Sequence, residues 1–304
     1  MLDQELSMKR STVSATILLF IVGVFFGCTR IEKTPVKIDI AGNSEGIKVS
    51  SGADLIDLFK KGQSSTVILT DNVHIGREIL KLTEALGTMT LIGNGFTIYG
   101  EGECVVRMDN NCLLNMEDLT LTGSRDGIGI IGDGTITATN SKIDAGLNGI
   151  SATGSLKINE NSSISVTGRT GRGIDVKGMT IQDNAEITAL GNLNGINITR
   201  DELIMLKGSK LTACSGQYNA VKCSNTLVLN DGAVFEVSNT GEYHGAELEA
   251  LEVHGTVTIK ASGGEKGAGL FLFELNDEIM VMGFCTPDYR IESGHGNIEF
   301  IDME

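Results

Sequence analysis

The chain is 304 residues long and carries 39 acidic against 24 basic side chains, a formal net charge of −15. Attraction to nucleic acid and to anionic lipid surfaces comes from cationic residues, so this balance disfavours both. It disfavours polyanionic glycans as well, unless a bound cation intervenes.

In chain order the first feature is an export signal. Lys9 and Arg10 form a positive n-region after Met8, an alternative start, and an apolar run from Ile17 to Phe26 ends in Gly27-Cys28. That run is short for a membrane span and typical of a signal-peptide h-region. Phe25-Phe26-Gly27-Cys28 resembles the lipobox of bacterial lipoproteins, which implies cleavage after Gly27 and lipidation of Cys28. The two phenylalanines depart from the usual small residue before the glycine. An uncleaved anchor, or a plain signal peptide with an unmodified cysteine, are the other readings. Residues 1–27 are thus read as a lipoprotein signal peptide and 28–44 as the lipidated cysteine and tether. Losing 1–27 removes Asp3, Glu5, Lys9 and Arg10 and leaves the net charge at −15. No second apolar stretch beyond Cys28 is long enough to span a bilayer. The expected location is the bacterial envelope, membrane-anchored, facing the periplasm or the cell surface. Thr29-Arg30-Ile31-Glu32-Lys33 is not acidic and lacks the surface-export signal of some lipoproteins.

The β-helix domain is placed at 45–275. Ser51 followed by Asp54 reads as a capping box and Gly62 as a helix stop. Leu55, Ile56, Leu58 and Phe59 between them predict an amphipathic cap helix over 52–61. Thr66–Ile75 and Met89–Tyr99 read as the first strands, and 78–86 as a short helix.

A repeat then dominates. A polar, a small and an apolar residue recur as Asp126-Gly127-Ile128, Asn148-Gly149-Ile150, Arg172-Gly173-Ile174, Asn194-Gly195-Ile196, Asn219-Ala220-Val221, His244-Gly245-Ala246 and Lys266-Gly267-Ala268. The apolar anchors are 22, 24, 22, 25, 25 and 22 residues apart. In step with them run the pairs Leu119/Leu121, Ile143/Ala145, Ile164/Val166, Ile187/Ala189, Leu211/Ala213, Phe235/Val237 and Ile259/Ala261. A third set, such as Leu156/Ile158, Leu227/Leu229 and Leu251/Val253, falls between. Alternating apolar and outward residues mark short strands. Three such strands per turn of about 23 residues bury their inner faces only by stacking turn on turn. Asn140, Asn161, Asn184, Gly208 and Gly232 recur at one corner, where a sharp bend calls for residues that accept a left-handed backbone. The spacing is too short for βα units. The signatures of leucine-rich repeats and of six-residue left-handed β-helices are absent. Pro35 and Pro287, the only prolines, fall outside the ladder. The fold expected is all-β, a right-handed single-stranded parallel β-helix with an N-terminal capping helix, closed by a C-terminal cap over 276–304.

The helix plug, the entry segment Leu91-Ile92-Gly93-Asn94-Gly95-Phe96-Thr97-Ile98 and the Gly-Ile coils look like the pectate-lyase-like β-helix superfamily. More narrowly, they are similar to bacterial exported proteins with carbohydrate-binding β-helix domains. The resemblance spans roughly 45–275 and carries the fold. It leaves function open, since the superfamily includes lyases, hydrolases, adhesins and tailspikes.

Catalytic chemistry finds little support. Gly294-His295-Gly296 matches one of four motifs of galacturonan hydrolases, but no aspartate motif precedes it, and His295 reads as a turn residue. On the outward face after the anchors, Asp175/Lys177 and Lys222/Glu247/Glu249 are the charged groups. Asp175 and Glu247 stand three coils apart, ~14 Å at the strand spacing, too far to share an ion. Glu247 and Glu249 are close enough to draw calcium with Lys222 as a base, or they form a solvated face with a Lys222–Glu247 pair. No catalytic residue and no cofactor are assigned, calcium being the weak exception. No Cys-x-x-Cys or His-Cys spacing suggests zinc. Cys104–Cys112 and Cys214–Cys223 read either as disulfides or as small apolar residues stacked in the interior; with Cys285 the count beyond Cys28 is odd.

A binding face is better supported. Tyr218 and Tyr243, two of four tyrosines, each stand three residues before an anchor and so stack on adjacent coils. They are followed by Asn219 and His244 of the polar column, which reads as turn chemistry. The tyrosine pair reads either as a platform for a sugar ring or as an aromatic ladder that stiffens the stack. The expected function is non-catalytic binding of a polysaccharide or a cell-surface partner, with membrane attachment through the lipid and no nucleic acid. A polysaccharide lyase or glycoside hydrolase, and a structural or adhesin-like shaft, are the alternatives.

Overall fold

The computed structural model describes residues 46–62, 65–275 and 292–293. The signal peptide, Cys28, the tether, both prolines, Cys285, His295 and most of the C-terminal cap lie outside the described residues. Of that cap, only Glu292–Ser293 is described, pairing parallel with Phe271 and Leu272.

The described body is a parallel β-helix. One of its ladders is a sheet of nine strands, stacked in strict chain order from Val73–Gly76 to Thr258–Ser262. Nine stacked rungs mean about nine coils. The anchor ladder contains Ile174–Val176, Ile196–Ile198 and the start of Val221–Leu229. Between it and the nine-stranded sheet runs the intermediate ladder, with Ser155–Ile158, Gly178–Ile181 and Leu203–Met205. In the later coils Val221–Leu229 and Ala246–Val253 run straight through the corner, so these two ladders join in one sheet of 18 strands. The corner leaves its mark as a register irregularity between Cys223 and Thr226.

Every ladder buries alternate residues. Ile164, Ile187, Leu211 and Phe235 are nearest neighbours on successive coils and are buried. Leu156, Met179, Leu203, Leu227 and Leu251 make the same kind of column in the intermediate ladder. Truncating one such side chain to alanine costs roughly 2–5 kcal/mol, because stacked coils above and below cannot collapse onto the gap.

The small residue before each anchor has a steric reason. The anchor amide of one coil donates to the carbonyl of the small residue one coil on: Ile174 to Gly195 at 2.9 Å, Ile196 to Ala220 at 2.8 Å, Val221 to Gly245 at 3.0 Å. A Cβ on Gly173 would stand 2.5 Å from the Gly195 carbonyl oxygen. Gly173 therefore admits no side chain, and the largest residue preceding an anchor in this column is Ala220.

The left-handed corner is formed. Asn140, Asn161, Asn184, Gly208 and Gly232 have φ of 47, 55, 56, 65 and 74°, and Asn94, Asp118 and Gly255 join them at 51, 46 and 83°. Asn140 Nδ2 also donates to Asp118 Oδ1 at 2.6 Å, one coil away.

The cap helix spans Gly52–Lys61. Asp54 N–H donates to the Ser51 hydroxyl at 3.2 Å, and Gly62 closes the helix with φ of 67°. Leu55 and Phe59 are buried, with Ile56 and Leu58 packed beside them on the core. A strand not foreseen, Ile47–Val49, precedes the helix and pairs with Val67–Leu69. Among the described residues no helix is long and apolar enough to cross a membrane.

Three expectations need correction. Ile130, not Ile128, is the neighbour of Ile150, and Leu270, not Ala268, is that of Ala246. Both errors are of two residues, which preserves the face and so hides in a period-2 pattern. For the same reason the true partners of Ile164/Val166 are Ser141/Ile143 rather than Ile143/Ala145. Ser141 is polar yet buried, its hydroxyl donating to the Thr139 carbonyl at 3.0 Å. Residues 78–86 form no helix: Leu80–Leu82 is a strand paired with Val106–Met108, which buries Leu80 and Leu82. Of the two readings left open for the cysteines, that of residues stacked in the interior holds for Cys104, Cys112 and Cys223, which are buried free thiols, so neither pair is a disulfide. Cys214 lies on the outward parity of its strand and Cys223 on the inward one, so they face different ways. Burial pushes the Cys223 thiol up to about 11.

Two outcomes follow. Asn161→Val lowers unfolding stability by about 1–2 kcal/mol, the cost of a left-handed backbone for a branched residue, whereas Asn161→Gly stays within about 1 kcal/mol; urea midpoints at constant m-value read both. Cys223 is protonated in the native state where an unfolded thiol, at 9.0, is already ionised. Its contribution is therefore full below pH 9 and lost as the pH rises towards 11. Denaturation curves recorded across that window show a steeper fall for the native chain than for Cys223→Ala.

Candidate functional site

At the corner after the nine-stranded sheet the later coils differ from the earlier ones in an inward position. The last inward position of that sheet reads Ala145, Gly168, Gly191, Ser215 and Asn239 on successive coils. The first three fill little space. Ser215 and Asn239 place two buried polar side chains there instead. Asn239 Nδ2 donates to Ser215 Oγ at 3.0 Å, and both side chains donate to the Tyr218 carbonyl. Asn239 Oδ1 accepts the Gly241 amide at 2.7 Å. A clamp of this kind holds the Tyr218 loop from beneath. The Tyr218 amide is tied to the Leu193 carbonyl at 2.9 Å, and the Tyr243 carbonyl accepts from Gly264 at 2.8 Å.

On this base the two tyrosines meet as expected. Their ring centroids are 5.2 Å apart with planes inclined at 60°. Each is 46% exposed, which is unusual for rings in contact. The inclination makes the surface a bent shelf rather than one plane. Aromatic faces with exposed rims are suited to stacking the apolar face of a ring and hydrogen-bonding at its edge.

Behind the shelf the polar column does turn chemistry. Asn148 Oδ1 accepts the Arg172 amide at 2.9 Å, and Arg172 Nε donates to Asn194 Oδ1 at 3.2 Å. Asn194 Nδ2 donates to the Asn219 carbonyl at 2.8 Å, and Asn219 Oδ1 accepts the His244 amide at 3.0 Å. His244 Nδ1 accepts the Ala268 amide at 2.9 Å while its ring stacks on Phe271 at 4.6 Å. These side chains link coil to coil, and little of Asn219 is left for a ligand.

The carboxylate group is engaged in the same way. Glu247 takes Lys222 Nζ on one oxygen at 2.9 Å and Asn219 Nδ2 on the other at 2.5 Å. Glu249 is exposed two residues on. Asp175 is held by Arg172 at 3.3 Å and by Asn197 Nδ2 at 2.7 Å. Among the described residues no three His, Cys, Asp or Glu side chains come together as a metal-ligand set.

Two features were not foreseen. One is the Ser215/Asn239 clamp, because serine and asparagine at a strand end read as loop residues. The other is a groove of about 620 Å³ on the N-terminal coils, lined by Glu84, Arg107, Asp109 and Asp133 among others. Two of those four are committed: Arg107 to Glu103 at 2.8 Å, and Asp133 to the Gly154 amide at 2.6 Å.

No family model matches the chain, and no curated protein or solved structure matches it either. The parallel β-helix is therefore established from its own geometry.

Removing the clamp is informative. Asn239→Ala strips the Tyr218 carbonyl and Ser215 of a buried donor, which costs roughly 1–3 kcal/mol. The expected result is a lower urea midpoint, with the change confined to the coils around the tyrosines in amide exchange.

Proposed function

We propose that the protein is a non-catalytic, lipid-anchored β-helix of the bacterial envelope that binds carbohydrate at the Tyr218/Tyr243 corner. The observation that carries this reading is the pair of tyrosines in contact on adjacent coils, each nearly half exposed. An aromatic pair that served only to stiffen the stack would gain most by burial, yet these rings keep half their surface in water. The clamp beneath them is consistent with a shelf whose position matters. Anchoring rests on the signal sequence and Cys28, and it would keep the shaft at the membrane while the shelf engages a polymer or another surface component.

A second reading, polysaccharide cleavage by a lyase or hydrolase, draws on the groove that holds Glu84, Asp109 and Asp133 beside Arg107. Carboxylates in a groove with a neighbouring cation are the raw material of acid–base work. The engaged state of Arg107 and Asp133 favours the binding reading.

A glycan array probed with residues 29–304, with and without calcium, tests the proposal. Binding by the native chain and its loss in the Tyr218→Ala/Tyr243→Ala variant are expected, with no reducing ends released from the bound glycan. Release of reducing ends that Glu84→Gln and Asp109→Asn abolish would replace binding by cleavage. Absence of binding under both conditions would leave the shaft a structural or protein-binding element.

A further inference from the structure

Among the described residues five large apolar side chains are more than a third exposed: Ile47, Leu147, Leu190, Tyr218 and Tyr243. Four of the five lie on or beside one corner of the shaft. Leu147, Gly171, Leu193, Tyr218 and Tyr243 occupy equivalent places on five successive coils. Backbone bonds tie the first four in order: Gly171 to Leu147 at 3.1 Å, Leu193 to Gly171 at 2.9 Å, Tyr218 to Leu193 at 2.9 Å. The ring contact joins the fifth. Leu190, at the outward end of its strand and 36% exposed, flanks the row. The result is a narrow apolar stripe parallel to the axis of the stack, four coil steps or about 19 Å long at the strand spacing. Gly171 makes a notch in it that cannot be filled, since a Cβ there would stand 2.4 Å from Asn148 Oδ1.

Resting on the tyrosine reading above, we infer that the tyrosines are one end of an extended site for a linear, uncharged polysaccharide. The chain lies along the shaft, with successive sugar rings over Tyr243, Tyr218, Leu193 and the notch towards Leu147. Three observations select this occupant. The stripe repeats at one coil spacing, as a polymer of identical rings repeats, whereas a folded protein partner has no reason to present that period. Beside the stripe three cations are already neutralised: Arg169 by Asp144 at 2.8 Å, Arg172 by Asp175 at 3.3 Å, Lys266 by Glu242 at 2.8 Å. That leaves the exposed Arg125 at the Leu147 end, and in a chain of net charge −15 one cation is little to set against the repulsion of an acidic polymer. The rim offers the amide side chains of Asn192 and Gln217, the latter exposed, which suit hydroxyl groups rather than ions.

The test is a length series, disaccharide to hexasaccharide, of β-1,4-linked glucose and β-1,4-linked N-acetylglucosamine, titrated calorimetrically into residues 29–304. Leu147→Ser, three coils along the row from Tyr218, and Leu193→Ser, on the coil next to Tyr218, are compared with the native chain. Affinity is expected to rise from disaccharide to hexasaccharide. Either serine variant should lower hexasaccharide affinity by about tenfold, the loss of one apolar subsite, a larger loss than it causes for the disaccharide. Binding that depends on the tyrosines but neither grows with length nor responds to the leucines would overturn the extended site and leave the tyrosine reading standing. No binding of any oligomer in either series would overturn both. Concentration-dependent dimers in ultracentrifugation that Leu147→Ser abolishes would also overturn it, identifying a second copy as the occupant.

Discussion

The structure depends on the backbone bond between one coil and the next. Each anchor amide reaches the carbonyl one coil on, from Ile150 to Gly173 through to Ala246 and Gly269, at 2.8–3.0 Å. All of these bonds run parallel to the axis, so every coil must have nearly the same shape as its neighbours. That requirement dictates the rest. It places like residues above like, turns an alternating pattern into apolar columns, and forces the small residue before each anchor. It also demands a tight bend at the same point of each turn, which asparagine and glycine supply with φ of 47 to 74° at the five expected corners.

Identical coils would make a featureless shaft. The proposed site lies where the repeat is broken without harm to the stack. At the corner after the nine-stranded sheet, the inward position changes from Gly168 and Gly191 to Ser215 and Asn239, and the polar groups it gains hold the Tyr218 loop. The next residues place two rings in water. The polar column next to them absorbs its own hydrogen bonds from coil to coil, so the shelf projects from a satisfied framework. No buried side-chain nitrogen or oxygen among the described residues lacks a partner. On the proposed reading, stability and recognition fall to different faces of the same turn.

Much of this architecture was legible in the sequence because a period of about 23 residues samples the same environment many times. The helix over 52–61, its Ser51 cap and Gly62 stop, the corner asparagines and the contact between Tyr218 and Tyr243 all follow from local chemistry plus that period. What escaped has a common cause. A slip of two residues leaves every side chain on its face, so Ile128 passed for Ile130 and Ala145 for Ile143. A polar residue in an inward slot, as at Ser141 and Asn239, contradicts the pattern used to find slots. Leu80–Leu82 was lost because the first coils lack the polar-small-apolar signature. The apolar stripe was within reach: Leu147 and Leu193 share the tyrosines' position three residues before the anchor, but scattered leucines carry no signal until stacking aligns them. The groove around Glu84 and Asp109 joins residues at one corner of successive coils, and the first of those coils lack the signature that would have aligned them.

The claim at the centre of the account is that the tyrosine corner is the recognition surface of this shaft. The chain has no tryptophan and four tyrosines, so two of its four tyrosine fluorophores, Tyr218 and Tyr243, sit at this corner. The most direct measurement is tyrosine emission during titration with a neutral hexasaccharide, run beside calorimetry on the same samples. A saturable change in emission that follows the calorimetric isotherm is the predicted result. Heat of binding with emission unchanged would place the ligand elsewhere on the shaft and contradict the account.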